Sequence, residues 1–373
     1  MTEYIWKLKN WPKFRWDETV LLTGLSAARL RQGKLIQKVS ALLELDSKQA
    51  EACIFEAEAL KTTQIEGEKY NPESVRSSIH RRLGLDYAGL PRTERNIDGL
   101  VEVLFDATRN FNKILTIQRL YGWQAALFPT GYSGLQKIVT GKFRNDINGP
   151  MEVVSGSIGK EKVHYQALPA DKISNEIKLF LSWWNKQSLS LDGIIRAGIA
   201  HLYFVTIHPF DDGNGRIARA LTDMAIAQDD KLNKRYYSLS TEILKDKPTY
   251  YKILEESQKG DLDVTKWLTW FIDCFSAALI SSEKLLENIF SKADFWRKHQ
   301  MVEMNVRQKK VINKMLDIGK DNFMGGLTTK KYIGITGMSR ITAIREINDL
   351  LLKNILVKNE GKGRNVNYSI IWK

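Results

Sequence analysis

His208-Pro209-Phe210-Asp211-Asp212-Gly213-Asn214-Gly215-Arg216-Ile217-Ala218-Arg219 follows directly on Gly193 to Ile207 (GIIRAGIAHLYFVTI), a run that is apolar almost all round. A helix apolar on every side is one surrounded by other helices, which points to a mainly α fold. With fifteen residues, Arg196 and His201 among them, the run is too short and too polar to span a membrane. Pro209 disfavours helical dihedrals in the residue before it, so the buried helix should end at or beside His208 and leave the imidazole at a helix terminus. Gly213-Asn214-Gly215 supplies the backbone freedom for a tight turn, and helical periodicity resumes from Arg216 to Ala227.

A Gly-Asn-Gly turn feeding a helix start gathers unpaired N–H groups and the positive end of the helix dipole at one point, an anion hole that fits phosphate oxygens. Arg216 and Arg219 are three apart, share a face and can reach the same polyphosphate. Asp212 offers a hard oxygen ligand suited to Mg²⁺. His208 is the only group in the motif able to act as a general base near neutral pH. Singly, each residue is explained as well by a helix cap or an ordinary loop. Base, carboxylate, anion-binding turn and paired guanidiniums within twelve residues describe a site.

The stretch resembles the signature of the Fic family, HPFxDGNGRxxR, matched here by His208, Pro209, Phe210, Asp212, Gly213, Asn214, Gly215, Arg216 and Arg219. The resemblance, which covers about residues 1 to 290, implies a helical Fic core with a β-hairpin flap that moves AMP from ATP onto a hydroxyl side chain of a target protein. Carried over by position, it makes His208 the base for the target hydroxyl and Asp212 the Mg²⁺ ligand. Nucleotide binding falls to Asp212, Gly213, Asn214, Gly215, Arg216, Ile217, Ala218 and Arg219, with Phe210 anchoring the loop in the core.

Upstream, a helix from Lys48 to Glu66, capped by Asp46 or Ser47, closes with Thr62-Thr63-Gln64-Ile65-Glu66-Gly67. Thr62 and Glu66 are four apart and share a face, and Gly67 suits a left-handed stop. This resembles the inhibitory (S/T)xxxE(G/N) motif of one class of Fic proteins. There the Glu pairs with the second motif arginine, here Arg219, and keeps the γ-phosphate from seating. Residues 149 to 165 resemble the flap, with Glu152 to Ser155 and Lys162 to Tyr165 as a hairpin. Val153, Val154, Ser155 and Gly156 match its nucleotide-facing part, and its edge would pair with an extended target segment. Tyr250, Tyr251 and Gln258 stand where the family closes around adenine or ribose, Gln258 replacing a common Asn. Paired tyrosines in a helix are also ordinary core residues.

Residues 1 to 16 alternate aromatic and basic side chains, as in an extended or hairpin segment that packs Trp6, Trp11 and Trp16 on the body; nucleic-acid contact is the alternative. Pro72 to Leu83, Thr93 to Leu127 and Asp171 to Gln187 read as scaffold helices, and Asp263 to Gln300 as one long amphipathic region. Residues 304 to 373 read as three helices (Val306 to Ile318, Thr328 to Ile333, Ser339 to Lys353) and two strands (Ile355 to Asn359, Asn365 to Ile371), which looks like a winged helix-turn-helix domain. They hold net charge +9 of the chain's +13. Arg340, Thr342, Arg345, Lys358, Lys362 and Arg364 form a footprint for DNA, while a protein-interaction or homodimer surface stays open.

The expected organisation is an N-terminal helical region (1–110) carrying the inhibitory motif 62–67, a Fic core (111–290) and a winged helix-turn-helix domain (304–373). Cys53 and Cys274 form no CxxC pair, which suits a reducing cytoplasm. No stretch reads as a secretory leader or a membrane span. The leading reading is a cytoplasmic protein adenylyltransferase using ATP and Mg²⁺, restrained in cis by Glu66. Removal of AMP or transfer of another nucleotide at the same site, and a DNA-binding regulator with a nucleotide-sensing core, are the alternatives.

Overall fold

The computed structural model describes residues 3–147, 149–155, 162–319, 323, 325–360 and 366–372. The chain divides into two compact units, Met1–Gln37 with Glu51–Ser282, and Lys38–Ala50 with Glu283–Lys373.

The helices in order are α1 (Glu18–Ser40), α2 (Glu44–Ile65), α3 (Pro72–Leu83), α4 (Arg95–Arg109), α5 (Ile117–Leu127), α6 (Ala170–Asn185), α7 (Gly193–Ile207), α8 (Asn214–Asp230), α9 (Leu239–Lys245), α10 (Lys247–Ser257), α11 (Thr265–Leu285), α12 (Glu287–Lys298), α13 (Val306–Ile318), α14 (Thr329–Thr336) and α15 (Arg340–Leu352). Among the described residues three antiparallel strand pairs interrupt them: β1 (Tyr132–Ser133) with β2 (Gln136–Lys137), β3 (Glu152–Ser155) with β4 (Lys162–Gln166), and β5 (Leu356–Lys358) with β6 (Tyr368–Ile370).

All of α7 is buried, as its uniform apolarity requires, and it packs along α8. Asp192 starts it by accepting hydrogen bonds from the Ile194 and Ile195 amides. Arg196 and His201 within it are satisfied in place. Arg196 donates to Ser188 Oγ at 2.8 Å, Gln228 at 2.6 Å and the Trp184 carbonyl at 3.1 Å, and His201 bonds Thr222 and the Tyr250 hydroxyl. Buried polar groups with such partners cost little. Trp267 of α11 donates to the Gly198 carbonyl at 2.8 Å, and a Cβ at Gly198 would crowd Leu268 and Phe271 of the same helix, at 2.9 and 3.1 Å.

The structure corrects several expected boundaries. Residues 93–127 form two helices, because the chain turns at Asn110 and restarts where Thr116 caps α5. Helix α2 begins at Glu44, so Asp46 and Ser47 lie in its first turn and are not caps; acidic residues there complement the dipole as well. The region from Asp263 to Gln300 breaks at Leu286 into α11 and α12. The first sixteen residues make no hairpin. A short 3-10 turn (Ile5–Lys7) and isolated bridges from Tyr4 to Lys259 and Arg15 to Asp263 lay them against the fold. All three tryptophans there are partly buried, and Trp6 and Trp11 donate to the Gln166 carbonyl and Glu176. The β1–β2 hairpin went unanticipated, since two-residue strands leave no periodicity to read.

In the second unit, α13, α14, α15 and the β5–β6 hairpin close over a core that includes Val311, Ile312, Leu327, Tyr332, Ile347 and Leu350. Glu346 ties three of its elements, accepting from Asn305, Arg307 and the Tyr332 hydroxyl. Lys362 and Arg364 lie outside the described residues, as does Gly156 of the flap. Among the described residues no helix is long and apolar enough to cross a membrane.

Candidate active site

The loop between α7 and α8 is held from below. Phe210 is fully buried beside Tyr121, Phe143 and Phe204. Asn214 bonds both the amide and the carbonyl of Phe210, at 3.0 and 2.7 Å, folding the loop back on itself. Arg144, whose side chain is almost wholly enclosed, donates to the carbonyls of His208 (2.8 Å) and Leu168 (2.6 Å) and pairs with Asp146. Sequence reading passed over Arg144, because a brace of backbone carbonyls leaves no spacing signal. Gly213 turns the loop at φ +89°, where a Cβ would meet Phe128 at 3.0 Å.

His208 ends α7 with φ +51°, a left-handed conformation rarely held by a side-chain-bearing residue. That strain aims its ring into a cavity of about 540 Å³ instead of back along the helix. Its Nδ1 lies 3.2 Å from the Val205 carbonyl, which selects the Nδ1–H tautomer and leaves Nε2 as the ring's acceptor. Burial pushes the imidazole down to about 4, with Arg144 adding to that and the Val205 bond, Asp212 and Glu66 opposing it. The ring is therefore neutral, and able to take a proton, at physiological pH.

The same cavity is lined by Glu66, Val153, Val154, Asp212, Asn214, Gly215, Arg219, Tyr250, Tyr251 and Gln258, residues that come from four separate stretches of chain. Met151, Glu152, His164, Tyr165, Val205, Asp211, Leu254 and Glu255 complete the wall and were not anticipated. A two-residue alternation along β3 and β4 and a helical repeat along α10 would have found some of them. Ile217 and Ala218 are fully buried in the core face of α8 and stand away from the cavity wall. Tyr250 turns its hydroxyl into the core, 2.9 Å from His201, while Tyr251 is exposed. The side chain of Ser155, like Gly156, lies outside the described residues.

Helix α2 delivers Glu66 to the start of α8. Gly67, at φ +85°, closes the helix, and the Glu68 amide returns to the Thr63 carbonyl at 3.0 Å. Glu66 Oε1 accepts from Arg219 Nη2 at 2.5 Å, and Thr62 Oγ1 accepts from Arg219 Nε at 2.7 Å. A Cβ on Gly215 would lie 2.5 Å from that same carboxylate oxygen, so Glu66 rests on the first turn of α8, where an anion is favoured. Burial alone would raise the Glu66 carboxyl, but Arg219, with Arg216 and Lys247, outweighs it and holds the group below its usual range. Arg216 takes a different partner, Glu68 at 3.3 Å, and stacks over Phe128. Arg216 Nε and Nη2 and Arg219 Nη1 are buried and have no hydrogen-bond acceptor among the described residues, donors that a polyphosphate would satisfy.

Residues 71–226 match the Fic/DOC family, and residues 4–85 match a domain of unknown function, DUF4172. The chain carries a Fic/DOC family domain. The Fic domain is similar to protein adenylyltransferase fic-1 of Caenorhabditis elegans, 37% identical over 76 residues that cover 19% of this chain and 15% of that protein. A probable protein adenylyltransferase of Aquifex aeolicus is 23% identical over 239 residues, 62% of each chain. The chain thus spans less than two thirds of either relative. A Fic family protein from Desulfovibrio desulfuricans shares the fold with a TM-score of 0.57 over 95% of this chain and 96% of its own, at 17% identity.

Among the described residues no three His, Cys, Asp or Glu side chains cluster as a metal cage. Asp212 accepts from the Ser133 hydroxyl and the Gly213 amide and lies 3.8 Å from Arg216. One carboxylate beside donors for phosphate fits Mg²⁺, which keeps several waters and is bound through one or two carboxylates together with substrate phosphates.

Proposed function

We propose that the Fic domain transfers AMP from ATP to a serine, threonine or tyrosine hydroxyl of a target protein, and that Glu66 restrains it. The observation that carries this reading is the placement of a neutral His208 and an occupied Arg219 in one cavity. The target oxygen attacks the α-phosphorus, His208 Nε2 takes the hydroxyl proton, and the bond to pyrophosphate breaks. Gly215, Arg216 and Arg219 orient the phosphates at the start of α8. Asp212 would hold Mg²⁺, which neutralises phosphate charge when bound. The β3 edge offers backbone groups to an extended target segment. Two free cysteines suit the cytoplasmic reading.

Incubating wild type and Glu66→Gly with labelled ATP and cell lysate tests the proposal. Glu66→Gly should transfer more label to itself and to lysate proteins. If it is no more active, and instead loses the ability to strip AMP from a modified protein, the carboxylate serves hydrolysis and the inhibitory reading is wrong.

For the basic C-terminal unit we propose contact with duplex DNA as a winged helix. Arg340 and Arg345 are exposed on α15 and Lys358 is exposed on β5. Retardation of duplex by the whole protein should occur at low salt and vanish as salt rises, because phosphate contacts release counterions. No retardation at low salt would assign the unit to protein contacts.

A further inference from the structure

Glu58, Thr62 and Glu66 are spaced four residues apart along α2 and its end, so they form one stripe. Its last two members hold Arg219. The first ends in a buried charge cluster that the proposed chemistry does not use. Glu58 is 0% exposed, and Asp223, on α8 one turn beyond Arg219, and Arg235 are each 1% exposed. Glu58 Oε2 lies 3.0 Å from Arg235 Nη2 and accepts from Ser238 Oγ at 2.8 Å and the Ser240 amide at 3.2 Å, while Oε1 accepts from Ser240 Oγ. Arg235 pairs with Asp223 and donates to the Tyr237 carbonyl at 2.8 Å.

We propose that Glu58, Arg235 and Asp223 are positioning residues for the autoinhibition: they fix the axial register of α2 against α8 so that the Glu66 carboxylate falls on Arg219. The inference rests on the inhibitory reading of Glu66 above. Apolar residues of similar volume would hold two helices together at least as well as buried charges do. What the charges add is a single permitted register, since any slide strands an ion without its partner. A helix that advances one residue moves about 1.5 Å and turns about 100°, enough to take Glu66 off Arg219. Elsewhere along α2, Phe55 stacks on Phe105 and Glu51 pairs with Arg109, ties to α4 and not directly to α8. Glu66 itself stands just past the helix end, with a side chain 26% exposed, and is poorly placed to set the register it depends on.

The test is self-modification with labelled ATP, together with ATP affinity, in wild type, Glu58→Gln, Glu66→Gly and the Glu58→Gln/Glu66→Gly double variant. Glu58→Gln should raise transfer roughly threefold to tenfold in the wild-type background and tighten ATP binding, the range expected of directly coupled residues. It should leave the already released Glu66→Gly background unchanged. Ser240→Ala, a milder removal of one Glu58 partner, should shift both readouts the same way and decides the matter if Glu58→Gln does not fold. A purely structural role would lower activity equally in both backgrounds, and that result overturns the proposal. So does a flat response of Glu58→Gln and Ser240→Ala when Glu66→Gly is activated. If Glu66→Gly itself is not activated, the inhibitory reading has failed, and this inference goes with it.

Discussion

The two walls of the cavity are built on different principles. One comes from residues 208–219 with the end of α2: Arg219 is 2% exposed, it is gripped by Thr62 and Glu66, and the loop beneath it is pinned by Asn214 and Arg144. The other comes from β3, β4 and α10. It exposes Val154 and Tyr251, its strand register shifts between Val153 and Val154, and across its mouth His164 of β4 pairs with Glu255 of α10 at 2.7 Å. The first wall is preorganised for charge, with donors fixed before any phosphate arrives. The second is a hairpin with short strands and a rim ion pair, the kind of element that yields to a ligand. The proposed function assigns chemistry to the rigid wall and admission to the soft one, and substitutions should separate along that line.

The largest separation is expected at His208. His208→Ala should lower the transfer rate by roughly 10²- to 10⁴-fold, the range of a general base. Affinity for the Mg²⁺–nucleotide should stay within about tenfold, because the ring meets the hydroxyl being deprotonated and not the phosphates. Single-turnover kinetics with a parallel binding titration would show both. Unchanged turnover would remove His208 from the mechanism and, with it, the assignment of chemistry to this wall.

Arg219 comes next. In the Glu66→Gly background its guanidinium is free to hold the γ-phosphate, and Arg219→Ala should then reduce nucleotide affinity by roughly tenfold to a hundredfold. That corresponds to about 1.5–3 kcal/mol for a hydrogen-bonded charged group. In wild type the same substitution should cost less, because Glu66 already engages the side chain. An equal loss in both backgrounds would show that Glu66 and the nucleotide do not compete for Arg219.

The division between the walls also explains what could be read from the sequence. Local geometry was legible. The Pro209 turn, the Gly213 hinge and the whole of α7 follow from neighbouring residues, and so does the shared face of Thr62 and Glu66. The break between α4 and α5 was not, since Asn110 and Thr116 are weak signals inside a continuous amphipathic pattern. Long-range partners were hidden as well. Arg144 reaches the carbonyl of a residue 64 positions away, Ser133 reaches Asp212 across 79, and His164 reaches Glu255 across 91. Each looks like an ordinary polar surface residue until the fold closes. The pairing of Glu66 with Arg219 was anticipated only through family resemblance, because nothing local connects residues 153 apart.

pH gives a subtler contrast. The His208 ring titrates near 4 in the folded protein, below its ordinary value of about 6.5, and burial is the main cause. Its depressed value means that the unfolded chain binds the proton more readily. The ring's contribution to stability is thus present above about 6.5 and is lost as pH falls through the folded value. The ring is unprotonated across the neutral range, so with His208 as the proposed base the rate of Glu66→Gly should be flat from pH 6 to 8 on the acidic side and fall about tenfold per unit only below the folded value. A limb centred near 6.5 would mean that the ring is solvated when substrate binds, and that the rigid wall opens.

The smallest effect is expected at the mouth, and it tests the soft wall alone. Glu255 lies between His164 and Lys259, 2.7 and 2.6 Å away, and these partners, with both carboxylate hydrogen bonds, hold its carboxyl below the usual range. The side chains of His164 and Glu255 are 28% and 27% exposed, so water and salt reach the pair. Pairs of this kind contribute about 0.2–1 kcal/mol. Glu255→Gln should therefore shift the closed population of the hairpin by no more than about fivefold. Because the hairpin holds no group assigned to the proposed proton transfer, the change should fall on the KM for ATP or target while the single-turnover rate stays within twofold. The KM of wild type should drift toward that of Glu255→Gln as ionic strength rises, since screening weakens an exposed pair without touching Arg219 in its buried setting. A loss in the chemical rate that matches His208→Ala would place Glu255 among the reacting groups, and the division between a rigid and a yielding wall would fail where it is most exposed to test.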